Sequence, residues 1–497
     1  MGEKQPLIVE LPTSLGPTRP TPSPSTPCRV ITRTVLAAFL LCCVFFQLLR
    51  ITWHTFVTPG HCGHRADHFT YAGEHISWER CGELGNGRPL ECSTIDVPMD
   101  QFDRENSGNK TFSIPLIRLR GKNATQNLLL NPGGPGGSGI EFVYRRGEQL
   151  NAIVGEGFHL LGFDPRGVNG SRPQAACYPD GETRRKLSSL RDSKPLEDSP
   201  EIFAWTKNFV QACADTMGEH GKYINTPQTA ADMNSILDAV GQSDLVYWGF
   251  SYGTLLGQTY AGLFPERSRR VIIDGVANQN DWYTGLDDFE SLEDTENVLD
   301  GFFDECMKAG KNCTLSSHAD SKKELQEKVL SLVADLAEQP LSVYVNNSVY
   351  GTLDHKKILY DAIFPALYQP LGWYNLADRL AGILTGNATE ALLAYGLEDK
   401  PWGMVGEANN FVTLNDGLTG PKHWPEDRDG LLDIVAPFVN STLFGAVQIR
   451  DYFEKQLWSI PTTHNYVPKD SVSTAHPLLI LTTTYDPVCR KYTTFRR

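Results

Sequence analysis

Short apolar runs alternate with helix-like segments in the first half of the chain, and this alternation restricts the fold more than any other feature of the sequence. Four apolar runs have the length of a strand, at residues 127–130, 158–163, 244–249 and 270–274. Helical spacing occupies residues 229–240 and 254–264, between the later runs. Continuously apolar strands are typical of a parallel sheet that helices cover on both faces. The sequence therefore predicts an α/β fold with a mostly parallel sheet.

A serine stands where one of these strands meets the following helix. The segment Gly249-Phe-Ser-Tyr-Gly253 is a G-x-S-x-G sequence, whose small flanking residues suit a sharp and strained strand-to-helix turn. Such a turn exposes the hydroxyl of Ser251 and directs the N–H of Tyr252 to the place where an oxyanion forms. We therefore predict that Ser251 is a catalytic nucleophile. The alternative is a glycine turn with a purely structural role.

A second glycine-rich segment, Asn131-Pro-Gly-Gly-Pro-Gly-Gly-Ser-Gly139, follows the apolar run at 127–130. It has neither the G-K-[ST] ending of a phosphate loop nor the G-x-G-x-x-G spacing of a dinucleotide site. We predict that the N–H of Gly134 forms the second half of the oxyanion hole, with a ligand-free tight turn as the alternative. No cofactor and no metal are expected, because the histidine-rich stretch 61–68 has no second ligand cluster.

The N-terminal end differs from the rest of the chain. Residues 1–29 are rich in proline, serine and threonine and are predicted to be a disordered cytosolic tail. The uncharged run Thr34–Leu49 is bracketed by two arginines and covers ~24 Å as a helix, so residues 30–57 are predicted to cross the membrane. Basic residues before the span place the N-terminus in the cytosol. We predict a single-pass type II signal anchor. The alternative is a cleaved signal peptide and a secreted protein.

The sequence beyond the span fits a luminal or extracellular compartment. Seven candidate N-glycosylation sites follow the span, at Asn109, Asn123, Asn169, Asn312, Asn346, Asn387 and Asn440. Sequence proximity suggests three disulfides, Cys81–Cys92, Cys177–Cys213 and Cys306–Cys313. Cys62 and Cys489 are left as either a pair or two free thiols. A net charge of −14 without a basic run argues against nucleic-acid binding.

Three further regions complete the predicted organisation. Residues 58–280 form the N-terminal part of the α/β core, and residues 475–497 form a truncated C-terminal part. Residues 281–474 are a mostly helical insertion, predicted to be a lid or cap over the site. A helix in this insertion begins with the capping box Ser321-Lys-Lys-Glu324 and continues with an apolar stripe. Residues 356–368 and 375–395 are also predicted to be helices.

Four motifs, in their order along the chain, resemble those of α/β-hydrolase serine peptidases of the prolyl and tripeptidyl aminopeptidase type. They are the glycine segment 131–139, Gly162-Phe-Asp-Pro-Arg-Gly-Val168, Gly249-Phe-Ser-Tyr-Gly-Thr254 and Ile273-Asp-Gly-Val276. The resemblance covers about residues 78–488, and residues 477–488 are similar to the C-terminal region of the tripeptidyl branch. It implies an α/β-hydrolase fold and an exopeptidase that releases short peptides or residues from peptide N-termini. Ser251 is then the nucleophile, Asp486 the catalytic acid, and the Asp164–Arg166 loop shapes the site.

The catalytic histidine is the element that the sequence does not supply. In this fold the triad order is Ser, Asp, His, and the eleven residues after Asp486 contain no histidine. His476 precedes the last strand, and His423 and His464 lie in the insertion, so none of them is favoured as the base. The expectation is therefore a peptide hydrolase whose activity is in doubt. The alternatives are a non-catalytic binding module on the same scaffold and an esterase that takes a small ester.

Overall fold

The computed structural model describes residues 68–285, 292–397 and 405–489. The predicted tail 1–29 and the predicted membrane span 30–57 lie outside the described residues, as does Cys62. Across these three described ranges, no helix is both long enough and apolar enough to cross a bilayer.

An eight-stranded sheet forms the centre of the fold, in the order β1-β2-β3-β5-β4-β6-β7-β10. Its strands are β1 Glu79–Glu83, β2 Pro89–Pro98, β3 Thr111–Leu119, β4 Asn127–Asn131, β5 His159–Phe163, β6 Leu245–Phe250, β7 Ser268–Asp274 and β10 Leu479–Leu481. Neighbours from β5 to β10 are parallel, while β1, β2, β3 and β5 pair in antiparallel fashion. The prediction of a mostly parallel sheet is confirmed. The antiparallel edge arises where the connections are too short for a crossover helix.

Helices connect the parallel strands and continue into the insertion. They are α1 Arg104–Ser107, α2 Gly139–Val154, α3 Gly181–Leu187, α4 Ser199–Gly221, α5 Thr226–Ala239, α6 Tyr252–Leu263, α7 Gln279–Thr284, α8 Thr295–Ala309, α9 Lys322–Glu338, α10 His355–Ile358, α11 Phe364–Leu367, α12 Trp373–Leu384, α13 Thr389–Ala391, α14 Val405–Asp416, α15 Arg428–Val439 and α16 Ile449–Leu457. Short 3₁₀ segments lie at Gly155–Gly157, Pro265–Arg267, Gly310–Asn312, Thr314–His318 and Pro370–Gly372, and π-helical turns at Leu359–Ile363 and Leu392–Gly396.

The central strands are apolar along their whole length because each face of the sheet has its own core. In β4, Leu129 packs into the cluster that holds much of α5 and α6, whereas Leu128 and Leu130 pack into a second cluster with α2. All five residues of β4 and of β5 are buried. Side chains that alternate between two buried faces must all be apolar or internally paired, which is the pattern seen in the sequence.

The insertion contains two parts that pack differently. Helices α8 to α12 surround a separate apolar core, while α14 contributes Phe411 and Leu414 to the core of the main sheet. The predicted helices at 356–368 and 375–395 are interrupted, the first by a π-helical turn and the second by a turn around Gly386. A hairpin of β8 Leu341–Asn346 and β9 Val349–Leu353 was not predicted. The alternating residues and the Asn-Asn-Ser turn at 346–348 were its sequence signal.

Three disulfides are present in the described chain, and they join the pairs that sequence proximity suggested. Cys81–Cys92 links β1 to β2, Cys177–Cys213 ties a loop to α4, and Cys306–Cys313 closes the end of α8. Cys489 is buried and forms no disulfide with a described residue.

Candidate active site

Ser251 adopts a backbone conformation that L-residues rarely occupy. Its φ is 53° and its ψ is −123°, between the last residue of β6 and the first of α6. A Cβ on Gly249 would lie 2.2 Å from the carbonyl oxygen of Gly253, and one on Gly253 would lie 2.7 Å from that of Asn131. No side chain fits at either position. Strain of this kind, held in place by close packing, is characteristic of functional sites.

Backbone hydrogen bonds hold this turn in place. The N–H of Ser251 donates to the carbonyl of Asp274 at 3.0 Å, which joins the turn to the end of β7. The carbonyl of Ser251 accepts from the N–H of Thr254 at 2.8 Å and from its hydroxyl at 2.6 Å. Because both backbone groups of Ser251 are committed, the position of its hydroxyl is set by the fold.

The glycine segment 131–139 lies directly against this turn. A Cβ on Gly133 would meet the carbonyl oxygen of Phe250 at 2.4 Å and the backbone nitrogen of Tyr252 at 3.0 Å. The N–H of Gly133 donates to the Asn131 side chain at 2.9 Å, so it is already used. Gly134, with a φ of 113°, therefore stays the predicted second donor of the oxyanion hole, beside the N–H of Tyr252.

Asp164 fixes the far end of the glycine segment. One oxygen of its buried carboxylate accepts from the Ser138 hydroxyl at 2.6 Å and from the N–H of Ile140 at 3.2 Å. The other accepts from the side-chain amide of Asn169 at 2.9 Å. Arg166 points elsewhere, into a buried ion pair with Asp232. Asp164 thus holds the start of α2 and the loop before it, whereas Arg166 ties α5 to the sheet.

Asn169 differs from the other candidate glycosylation sites. Its amide nitrogen is bonded to Ser138 and Asp164, and its φ is 43°. The other six asparagines are exposed. A glycan on the nitrogen of Asn169 would break the contacts that fix the glycine segment.

The structure brings Asp486 close to Ser251. Asp486 follows β10, whose neighbour β7 ends beside the strained turn. A Cβ on Gly275 would lie 4.0 Å from one carboxylate oxygen of Asp486 and 4.0 Å from the backbone nitrogen of Ser251. The other oxygen of Asp486 accepts from the N–H groups of Val488 at 3.0 Å and Cys489 at 2.7 Å. The sequence-predicted nucleophile and acid are therefore neighbours.

Cys489 and Asp274 border Ser251 and Asp486. Neither was predicted to have a role in the site. The buried Cys489 thiol lies beside the Ser251 side chain, and burial followed by the charge of Asp486 raises the pKa of Cys489 to about 12. The Asp274 carboxylate accepts from the indole N–H of Trp248 at 3.2 Å. Burial and the nearby Asp486 raise the pKa of Asp274. Asp274 belongs to the Ile273-Asp-Gly-Val276 motif, so the sequence carried a signal for its place in the site. No motif marks Cys489 as part of the site.

The histidines lie elsewhere. The ring of His464 contacts the carbonyl of Asn415 at 3.2 Å and accepts the N–H of Tyr466 at 3.1 Å. His423 and His476 are exposed. Within the ranges 68–285, 292–397 and 405–489, no histidine is hydrogen-bonded to Ser251 or Asp486.

A buried network lies behind Tyr252, the predicted oxyanion donor. The Tyr252 hydroxyl is bonded to the Thr226 hydroxyl, which also donates to Asp416 at 2.5 Å. The indole of Trp282 donates to the same carboxylate at 2.8 Å. Burial raises the pKa of Asp416 to about 7. This network joins α5, α6, α7 and α14, and its members are too far apart in sequence for a local pattern to reveal them.

Helix α14 also reaches the glycine segment from the insertion. The Asn409 amide donates to the carbonyl of Pro135 at 3.3 Å, and the neighbouring Asn410 is bonded to the carboxylate of Glu454 in α16. Glu454 is buried, and burial raises its pKa despite an ion pair with Arg450 at 3.5 Å. Two adjacent asparagines of α14 therefore connect the glycine segment and a buried carboxylate of α16.

A strained nucleophile turn, a glycine loop against it and an acid after the next strands define the class of hydrolases built on this sheet. Residues 126–424 match the family model described as the alpha/beta hydrolase fold. The chain belongs to the α/β-hydrolase family.

Its relatives bear peptidase and esterase names. Serine protease Hip1 of Mycobacterium tuberculosis is 31% identical over 434 residues, which is 84% of this chain and 80% of that protein. Tripeptidyl aminopeptidase of Streptomyces lividans is 28% identical, over 71% of this chain and 66% of that protein. Carboxylesterase B of M. tuberculosis is 27% identical, over 83% and 79%. By resemblance the chain is a hydrolase of the serine peptidase type.

Proposed function

We propose that this protein is a serine hydrolase that releases short peptides or single residues from peptide N-termini. The observation that carries the proposal is the backbone of Ser251, held at a φ of 53° in a turn where neither flanking glycine can bear a side chain. In this fold such a turn presents a nucleophile at the carboxyl edge of the sheet.

The proposed chemistry is acyl transfer. The Ser251 hydroxyl attacks the scissile carbonyl, and the N–H groups of Tyr252 and Gly134 bind the oxyanion that forms. Asp486 orients the general base, which is a histidine in this class of site. The insertion, acting as a lid, would restrict the site to chain ends.

Glu454 supports the N-terminal preference. A free peptide N-terminus is an ammonium group, and in this proposal it takes the place of Arg450 on Glu454, which Asn409 and Asn410 of α14 connect to the glycine segment. We expect Glu454→Gln to raise the KM for a peptide with a free N-terminus about tenfold, since a hydrogen bond to a charged group is lost. The same peptide N-acetylated should be unaffected. The matched control is Glu426→Gln, at an exposed position of the insertion.

A fluorophosphonate, which reacts with activated serines, tests the nucleophile and the base together. Two proteins are treated: the 497-residue chain, and that chain with an added C-terminal segment designed to place a histidine beside Asp486. Labelling of either protein at Ser251, absent in Ser251→Ala, supports the hydrolase. A folded chain that stays unlabelled in both forms contradicts it.

The second candidate is a binding module without catalysis. It is favoured by the position of the Cys489 thiol, which lies beside the Ser251 side chain. A third, the esterase, is favoured by the similarity to carboxylesterase B. Small p-nitrophenyl esters separate it from the peptidase: an esterase cleaves them and leaves peptides intact.

We also propose that residues 30–57 anchor the protein as a type II membrane protein with its hydrolase part in the lumen or outside the cell. The sequons and the three disulfides support an oxidising compartment. Protease treatment of sealed vesicles should remove the N-terminal tail and spare the rest. A protected tail would contradict the orientation.

A further inference from the structure

Sixteen consecutive residues of the insertion, between Asp361 and Asp378, carry no charge, and the middle of this stretch is exposed. The exposed part is residues 368–374, which we call the apolar tip. Leu371 is 95% exposed, more than any other large apolar side chain in the described part of the chain, and Tyr374 and Tyr368 are 61% and 50% exposed. Single exposed apolar side chains are common, but a cluster of them without charges marks a contact surface.

The fold holds the apolar tip in a fixed shape. Its 3₁₀ turn, Pro370–Gly372, continues directly into α12. The indole of Trp373, the first residue of α12, donates to the carbonyl of Ala366 at 3.0 Å, and its ring packs edge-on against Phe302 with the centroids 5.6 Å apart. Because the turn is fixed from below, the exposure of Leu371 belongs to the folded state, and a surface that binds it has little ordering to impose.

The residue types of the apolar tip suit the boundary between water and lipid. Tyrosine and tryptophan are enriched at this level of a bilayer, because each has an apolar ring and one polar group. Leu371 adds a side chain that gains free energy on leaving water. Residues 362–377 contain no cation that would attract an anionic lipid. The composition therefore favours a zwitterionic surface, such as phosphatidylcholine.

The part of the chain that precedes the described residues favours a bilayer as the occupant. Residues 30–57 are proposed above to cross the membrane, and ten residues separate them from His68. At ~3.3–3.6 Å per residue, this connection reaches at most about 40 Å. A short tether of this kind raises the effective concentration of lipid at the apolar tip, so a weak contact is sufficient.

Tyr368 brings the apolar tip close to the loop that carries Asp486. Burial, followed by the nearby Cys489 and Asp486, raises the pKa of Tyr368, so its phenol stays uncharged near pH 7. The insertion is also bonded to this loop directly, because the Thr295 hydroxyl donates to the carbonyl of Pro487 at 2.7 Å. A membrane bound at the apolar tip would therefore hold the candidate active site near its surface.

We propose that the apolar tip inserts into the headgroup region of a zwitterionic bilayer. Leu371 reaches the boundary of the acyl chains, while Tyr374 and Tyr368 lie at the level of the headgroups. The contact keeps the candidate active site close to the membrane. The proposal rests in part on the proposed anchor at residues 30–57, and it does not depend on the hydrolase function.

Fluorescence quenching in vesicles tests the contact on the full chain. The protein is reconstituted into phosphatidylcholine vesicles with an environment-sensitive fluorescent amino acid at position 371, introduced through an amber codon. The matched control carries it at position 350, where hairpin β8–β9 has a tyrosine that is 64% exposed. Nitroxide-labelled phosphatidylcholine should quench the emission from position 371 at least about twofold more strongly than that from position 350. Aqueous iodide should show the reverse order.

Two further substitutions locate the contact. Tyr374→Glu places a charge in the apolar tip and should reduce the lipid quenching at position 371, because a carboxylate is costly to move into the interface. Tyr344→Glu, at a hairpin position that is 71% exposed, should leave this quenching unchanged. Melting curves establish that each protein is folded.

Three results would overturn the proposal. They are equal lipid quenching at positions 371 and 350, lipid quenching that appears only when phosphatidylserine is added, and a blue-shifted emission at 371 that grows with protein density but ignores the nitroxide lipid. The last result would indicate that a second copy of the chain covers the tip.

Alkaline carbonate extraction of the same vesicles reports on the anchor separately. A protein that resists extraction while position 371 stays accessible to iodide alone contradicts the tip contact and leaves the anchor intact. A protein that is extracted, although its label at position 371 was quenched by lipid, supports the tip contact and contradicts the anchor.

Discussion

At the carboxyl edge of the sheet the site is made mainly of backbone, whereas at the amino edge a cluster is made of side chains. Ser251, Tyr252 and the glycine segment are held by main-chain hydrogen bonds and by glycines that touch carbonyl oxygens. At the amino edge, the fully buried Arg118 forms ion pairs with Glu74 and Glu91. Backbone geometry can place reactive groups under strain, while paired charges mainly secure the fold.

The largest effect is expected from Arg118→Met, which tests whether the amino edge serves stability alone. The change leaves two buried glutamates without their cation and should lower the unfolding free energy by about 3–5 kcal/mol. Reactivity at Ser251, measured per folded molecule, should be unchanged. Urea unfolding and fluorophosphonate labelling provide the two readouts.

The control for that variant is Arg145→Met. Arg145 pairs with Glu141 on the surface, with 71% and 56% of the two side chains exposed, so a change within about 0.5 kcal/mol is expected. If Arg118→Met abolished labelling of Ser251 in the folded protein, the two edges of the sheet would be coupled. The amino edge would then not serve stability alone.

Gly133→Ala tests the carboxyl edge. The new methyl group would lie 2.4 Å from the carbonyl of Phe250 and push the loop away from Ser251. In whichever form of the chain reacts, labelling should slow by about 10²–10³-fold, as for loss of an oxyanion donor.

Gly155→Ala is the matched control for this second variant. Gly155 has a φ of 72°, yet a Cβ there meets nothing within 4 Å. It should lose about 1–2 kcal/mol of stability from backbone strain and keep its labelling rate. Equal slowing in both glycine variants would mean that strain, and not the close approach to Ser251, explains the result.

The smallest effect concerns the pH dependence of stability. Burial raises the pKa of Asp416 from 3.8 to about 7, so the folded state holds the proton more tightly than the unfolded state. Its contribution to stability is complete below pH 3.8 and is lost as the pH rises through about 7. Between about pH 5 and pH 8, stability relative to Asp416→Asn should fall by about 2 kcal/mol. Parallel pH curves for the two proteins would show that Asp416 is not the titrating group.

Prediction from the sequence succeeded where one segment carries the whole signal. The G-x-S-x-G turn, the glycine segment and the apolar strands depend on local backbone geometry, and the disulfides join cysteines close in sequence. It missed the hairpin β8–β9 and the breaks in two helices. Arg166, which the resemblance placed in a loop that shapes the site, forms a buried ion pair with Asp232 of α5, a partner that no local pattern could indicate.

What the sequence by itself determined was the α/β-hydrolase sheet and the position of Ser251 at the start of a helix. The hydrophobic period of a helix, the apolar run of a strand and the glycines of a turn are each contained in a few residues, so they can be recognised without a structure. Only the tertiary structure decided that Asp416 supports Tyr252, that the Cys489 thiol lies beside Ser251, and that Arg118 pairs with Glu74 and Glu91. Those outcomes depend on which side chains distant segments bring together, since a buried charge or polar group is stable only with a partner.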